Sequence, residues 1–259
     1  MTVTLSFDIE EFDFPLERGR EIDLEAQLDV STEGLEALLA LLERHGVPAT
    51  FYITANYARH RPELVRRIAA EGHEVASHDY YHAVGSAADP AGAKTVLEEI
   101  TGVSVAGYRS PRLAQISSGE LAAAGYRYNS SMNPTWLPGR YNNLSRPRTV
   151  FTEGGILNYP MSVSWPFRVP LFWLSLHVMG LGLYRSLACS AIKKDGHLNL
   201  YFHPWEFSDR LADERFGVPA YISRCSGGKL SAKLDGLISY LHGKGYSFST
   251  TRKYLLGDE

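Results

Sequence analysis

Cysteine is scarce in this chain of 259 residues: Cys189 and Cys225 are its only two, and neither has the spacing of a metal knuckle or a redox pair. A disulfide framework is therefore excluded as the source of stability, and both are expected to be ordinary thiols. Basic excess is also missing. Lys and Arg total 26 against 29 Asp and Glu, a net charge of −3, which leaves nothing to neutralise a nucleic-acid backbone. Nucleic acid is not an expected partner. No internal repeat or low-complexity tract occurs, and no apolar run reaches the roughly 20 residues of a membrane span. The start, Met1 to Ile9, reads as a strand rather than a secretory leader, so a cytoplasmic location is expected. What is present is 44% hydrophobic residues, enough for one sizeable core, and a single domain over 1–259 is expected.

Short apolar runs alternate with helix-period segments, the pattern of βα units on a largely parallel sheet. Strands are expected at Val3 to Ile9, Val47 to Ile53 and Glu74 to Ser77. Between them, Ser31 and Thr32 offer N-caps for a helix through Leu35, Leu38, Leu39 and Leu42 that Gly46 closes, and Pro62 starts a second helix. Weaker signals mark helices at Pro90 to Ile100 and Ser117 to Ala124, and strands near Gly107 to Arg109, Tyr126 to Ser130 and Gly155 to Tyr159. Later come a helical region from Leu171, a strand at Leu198 to Phe202, a helix at Leu230 to His242 and a last strand at Tyr246 to Ser249. About seven strands are enough to close a barrel. From Met132 to Arg148, prolines, Gly139 and asparagines punctuate a long loop or lid, where Trp136 and Tyr141 offer flat faces for packing or for stacking on a ligand.

Polar clusters follow three of the strands. In Ser6-Phe7-Asp8-Ile9-Glu10-Glu11 the strand period of two sends Asp8 and Glu10 to one side, an arrangement that invites a cation. His78 and His82 stand four apart in Ser77-His78-Asp79-Tyr80-Tyr81-His82 and would share a face if the segment were helical. Asp79 occupies the place where a zincin needs Glu, which removes the metalloprotease reading. A third cluster closes the apolar strand with His203, then Pro204, Trp205 and Glu206, and histidine can supply a proton near neutral pH. Arg109-Ser110-Pro111-Arg112 puts a further arginine at a strand end.

Together these motifs resemble the polysaccharide deacetylases with a NodB homology domain, carbohydrate esterase family 4, and most of all a bacterial branch associated with surface-polysaccharide loci. The resemblance implies an α/β fold, a distorted (β/α)7 barrel. It also implies roles. Glu10, His78 and His82 would hold one divalent ion, zinc by preference, with Glu11 as the backup carboxylate. Asp8 would act as general base, Arg109 would orient it, and His203 would protonate the leaving amine. The backbone N–H of Arg112 would help to stabilise the oxyanion, and Arg112, Trp136, Tyr141 and Trp205 are counted as substrate-binding residues. Two departures from the family pattern stand out: Ile9 separates the paired acids, and Asn129 replaces an Asp that commonly tunes the acid histidine, leaving Glu206 or Asp209 to do so.

The implied activity is removal of an acetyl group from an N-acylated amino sugar. Deformylation of a lipid-linked amino sugar and a metal-holding glycan-binding module without turnover are the alternatives. A cytoplasmic enzyme would meet a nucleotide-linked or polyprenyl-linked precursor; in the latter case Trp165, Phe167, Phe172 and Trp173 would touch the inner face of the membrane.

Overall fold

A computed structural model describes residues 1–83 and 85–257. In chain order the first half contains β1 (Thr2–Ile9), α1 (Leu24–His45), β2 (Thr50–Ile53), α2 (Ala55–His60), α3 (Pro62–Ala70), β3 (Glu74–Ser77), α4 (Pro90–Thr101), β4 (Gly107–Tyr108), α5 (Ser118–Ala123) and β5 (Tyr128–Asn129). The second half contains β6 (Trp136–Leu137), β7 (Tyr141–Asn142), β8 (Phe151–Glu153), β9 (Ile156–Asn158), α6 (Trp173–Val178), α7 (Leu181–Asp195), β10 (His197–Phe202), α8 (Ala220–Ser223), α9 (Gly228–Gly243), β11 (Ser247–Phe248) and α10 (Thr251–Leu256).

Seven strands run parallel in the order β10-β1-β2-β3-β4-β5-β9; β8 adds antiparallel to β9, and β11 pairs with the start of β1. This is the distorted barrel expected from the sequence, curled but open between β9 and β10. Its seam is crossed by Ser162, whose N–H donates to the Asn199 carbonyl at 2.9 Å and whose hydroxyl accepts from Asn199 N–H at 2.8 Å. Strand β1 lies at the centre, in register with β10 from Thr2↔His197 to Phe7↔Phe202 and with β2 from Ser6↔Thr50 to Ile9↔Ile53. Its Val3, Leu5, Phe7 and Ile9 are fully buried in the main core with the leucines of α1. With that face fixed by apolar burial, the period of two aims Asp8 and Glu10 away from it.

Several local expectations need correction. Helix α1 starts at Leu24, capped by Asp23, whose carboxylate accepts from Ala26 N–H at 2.8 Å; Ser31 and Thr32 lie inside it. Their hydroxyls serve tertiary contacts, Ser31 donating to the Glu10 carbonyl at 2.6 Å and Thr32 bonding the Tyr57 hydroxyl at 2.8 Å. The strand expected from Val47 begins only at Thr50, and the loop from Met132 contains the two-stranded hairpin β6–β7. Phe172 is buried, and Trp173 is partly buried against three core clusters. Trp165 and Phe167 are exposed. Among the described residues no helix is long and apolar enough to cross a membrane.

Candidate metal centre and active site

The site is assembled where β1, β3, β4 and β10 end, the edge on which parallel α/β sheets place function. Glu10 follows β1 directly and is held by the Ser31 hydroxyl at its carbonyl. His78 and His82 follow β3, but on an irregular turn instead of a helix. Asp79 sits between them at a positive φ of 65°, and its side chain is fixed by Tyr80 N–H, Asp89 N–H and the Tyr108 hydroxyl, all within 2.8 Å. The turn brings the two imidazoles together with ring centres 5.7 Å apart and planes 23° from parallel.

One ligand atom each from Glu10, His78 and His82 lies within 4.8 Å of the others, and all three residues are buried. Glu10 Oε2 is 2.9 Å from His82 Nε2 and 3.2 Å from His78 Nε2. Both outer nitrogens have acceptors: His78 Nδ1 faces the Arg109 carbonyl at 2.9 Å and His82 Nδ1 faces Asp13 Oδ1 at 3.1 Å. A proton held on each Nδ1 leaves each Nε2 lone pair aimed at the common point, the arrangement that a borderline divalent ion requires. Trp205 Nε1 donates to the other Glu10 oxygen at 3.0 Å, which fixes the carboxylate plane. The electrostatics agree. Burial opposes ionisation of Glu10, yet His82 and His203 outweigh it and hold the carboxyl well below its ordinary range. Burial likewise opposes a charge on His82, but Glu10 and Asp13 push it up to about 10. The pocket therefore demands positive charge, and a metal must displace a proton to enter.

Asp8, 2% exposed, accepts from Arg109 Nη1 at 2.5 Å. Arg109 has no exposed surface; it donates to the Ser130 carbonyl at 2.9 Å and stacks on Tyr52 with its guanidinium carbon 3.9 Å from the ring centre. So bound, it has one orientation to offer. His203 ends β10 and stacks on Trp205 with centroids 5.0 Å apart, under the edge of Trp173. Its Nδ1 meets Glu206 Oε1 at 2.8 Å, and the second Glu206 oxygen meets His177 Nε2 at 2.8 Å. Burial disfavours charge on His203, but Glu10 and Glu206 raise its pKa above the ordinary value. Glu206, fully buried, is itself lowered, because its bonds to His177 and His203 overcome desolvation. Helix α1 buttresses this segment: a Cβ on Gly34 would sit 1.7 Å from the Pro204 carbonyl oxygen, so only glycine allows the approach.

Asp8, Glu10, His78, His82 and His203 all line one cleft of ≈ 120 Å³, together with Tyr141, Arg112, Trp173 and Trp205. Other expected residues are placed differently. Glu11 turns to Asn56 and Thr54, accepting at 2.6 and 3.2 Å, and does not join the ligand group. Trp205 is 4% exposed with its N–H committed to Glu10, so it steadies the carboxylate while its ring lines the cleft. Trp136 is exposed on β6 and lines neither this cleft nor the cavity beside it. Arg112 adopts a positive φ of 55°, and its guanidinium bonds Asp13, Glu17 and the His82 carbonyl, buttressing the histidine turn. Asn129 bonds Ser131 and Asn158 and lines the adjacent cavity, and Asp209 accepts from Gly228 N–H; Glu206 alone of these touches His203. Sequence reasoning overlooked His177, which gave no signal but its interruption of an apolar helix, and Asp13, hidden in an acidic run.

A curled parallel α/β sheet with a buried carboxylate–histidine–histidine centre beside an arginine-bound aspartate and a carboxylate-bound histidine has the parts of a metal-dependent hydrolase. Residues 3–128 match the polysaccharide deacetylase family profile. A chitooligosaccharide deacetylase of Bradyrhizobium is 48% identical over 54 residues, 21% of this chain and 25% of that protein. Another from Sinorhizobium fredii is 51% identical over 45 residues, 17% of this chain and 21% of its own length. Such matched segments span a quarter or less of these relatives. Over nearly the whole chain the fold is shared: a Mycobacterium smegmatis protein assigned as a polysaccharide deacetylase superposes with TM-score 0.65 at 22% identity, covering 98% of this chain and 88% of that one. A family pseudoenzyme from Bacillus anthracis superposes at TM-score 0.52 and 12% identity, covering 99% and 66%. The first half of the chain thus matches the polysaccharide deacetylase family in sequence, and the whole chain shares the fold of solved structures described as such deacetylases.

Proposed function

We propose that this protein is a metal-dependent N-deacetylase acting on an N-acetylated amino sugar in a glycan or glycan precursor. The observation that carries the reading is the convergence of Glu10, His78 and His82 on one point, with Asp8 and His203 lining the same small cleft. The three ligands fit a divalent ion, and two imidazoles with one carboxylate suit zinc. When bound, the ion would supply Lewis acidity toward the amide carbonyl and the attacking water.

The chain's own groups supply the proton transfers. Asp8, anchored through Oδ1 by Arg109, takes a proton from the attacking water. His203, kept protonated by Glu206, gives a proton to the departing nitrogen as the C–N bond breaks, producing acetate and a free amine. Trp173, Tyr201 and Trp205 surround the acid with rings at 5.0 to 5.8 Å, which keeps water from competing for its proton. A glycan-binding role without turnover is served less well, since binding alone uses neither an aligned base nor an aligned acid.

Acetate release from N-acetylglucosamine oligomers by zinc-loaded protein tests the reading. We expect turnover that stops on chelation. Tight glycan binding without acetate would replace it with the binding-module reading.

A further inference from the structure

Beside the metal cleft lies a larger cavity of ≈ 660 Å³, roofed by the β6–β7 hairpin, that shares Arg112, Leu113, Arg140 and Tyr141 with the cleft as a common wall. The hairpin is pinned at its base: Arg168 donates to the carbonyls of Pro134 and Arg146 at 3.0 Å each, and the Thr135 hydroxyl donates to the Arg168 carbonyl at 2.7 Å. Asn143 Nδ2 closes it across the strands onto the Asn133 carbonyl at 3.1 Å. The cavity is thus preformed, as binding sites of this size usually are.

Its polar groups are unbalanced toward donors. The side-chain amide of Asn133 is 1% exposed and lacks a well-formed hydrogen bond at either Nδ2 or Oδ1, the Tyr141 hydroxyl of the shared wall being an electrostatic neighbour only; buried amides rarely stay so without a ligand or water. Among the described residues no carboxylate pairs with Arg140. Among the described residues Glu153, at 3.3 Å, is the one carboxylate that Arg146 meets, and it is the single carboxylate in the lining. Arg112 is already saturated by Asp13 and Glu17.

We propose that this cavity binds an anionic group carried by the substrate next to its acetamido sugar, with Arg140 as the contacting charge and Asn133 as a neutral donor. The inference rests on the deacetylase reading and narrows its substrate class. The shared chemistry is an oxyanion, supplied by the carboxylate of an acidic sugar or by a phosphate ester.

The experiment compares three substrates of the zinc-loaded protein at low and high salt: neutral diacetylchitobiose, an N-acetylglucosamine–glucuronic acid disaccharide, and UDP-N-acetylglucosamine. At least one anionic substrate should show a kcat/KM about tenfold or more above the neutral one, an advantage that shrinks as salt rises. Which of the two gains identifies the source of the oxyanion. Arg140→Ala should remove the advantage chiefly through KM, Arg140→Lys should keep part of it, and Asn133→Asp should repel the anion. Equal turnover of neutral and anionic substrates, or a preference that survives Arg140→Ala, overturns the proposal. If no substrate yields acetate, the deacetylase reading is what has failed. Calorimetric titration with the de-N-acetylated acidic disaccharide, its neutral counterpart and UDP-glucosamine then decides the cavity: tighter binding of either anion supports it, and equal binding of all three contradicts it.

Discussion

The two halves of the chain build the site in opposite ways. Up to β5 the functional groups sit at strand ends: Asp8 near the end of β1 and Glu10 just after it, His78 and His82 after β3, Arg109 after β4. After β5 the chain turns irregular, and it contributes His203 with Glu206 three residues on, His177 bonded to the same Glu206, and the hairpin wall. The first half matches the polysaccharide deacetylase profile, which stops at residue 128. On the proposed reading this is a division of labour: the first half would hold the ion and the base, and the second would tune the acid and shape what approaches it.

Breaking the first half should have the larger effect. Replacing His78 or His82 with Ala removes one of three ligands and leaves Glu10 with less compensation at a buried position, so stoichiometric metal binding should be lost, as measured by metal analysis after dialysis. Full metal retention in either variant would detach these histidines from the centre. Asp8→Asn keeps the shape of the side chain but removes the base. Acetate release should fall by about 10² to 10⁴ with most of the metal affinity intact. Activity within a few fold of wild type would exclude Asp8 as base.

The second half is tested by Glu206→Gln, and the expected effect is smaller. A carboxylate that only orients and charges the acid should matter less than the ligands or the base, so a loss smaller than that of Asp8→Asn is expected. The sign of its pH effect follows from its charge. His203 must be protonated to act, Glu206 stabilises that form, and its loss lowers the pKa, so the alkaline limb of the pH–rate profile should move to lower pH. A rate loss with an unmoved limb would reduce Glu206 to a structural support. His177→Gln should move the same limb less, because it acts on His203 only through Glu206.

The parallel strands and the ligand types were legible in the sequence because both follow short-range rules. Apolar alternation fixes the face of β1, and from it the direction of Asp8 and Glu10, without knowledge of any partner. The start of α1 was not legible: Ser31 and Thr32 are good capping residues, and only the fold shows that Glu10 and Tyr57 occupy their hydroxyls. Nor could spacing reveal that His78 and His82 meet through a turn at Asp79, since helical geometry gives the same adjacency. The partner of the acid was ambiguous between Glu206 and Asp209 until packing against Gly34 set the conformation of the Pro204–Phe207 turn. Trp205 was expected to meet substrate and does line the cleft; its bond to the Glu10 carboxylate was not legible, because nothing in the spacing links residues 10 and 205.

The central claim is that one ion at Glu10, His78 and His82 is required for deacetylation. It is tested most directly by titrating zinc into chelator-treated protein while following acetate release from an N-acetylglucosamine oligomer. We predict no release without metal and a rise that saturates at one ion per chain. Undiminished acetate release from protein shown by elemental analysis to be metal-free would contradict it.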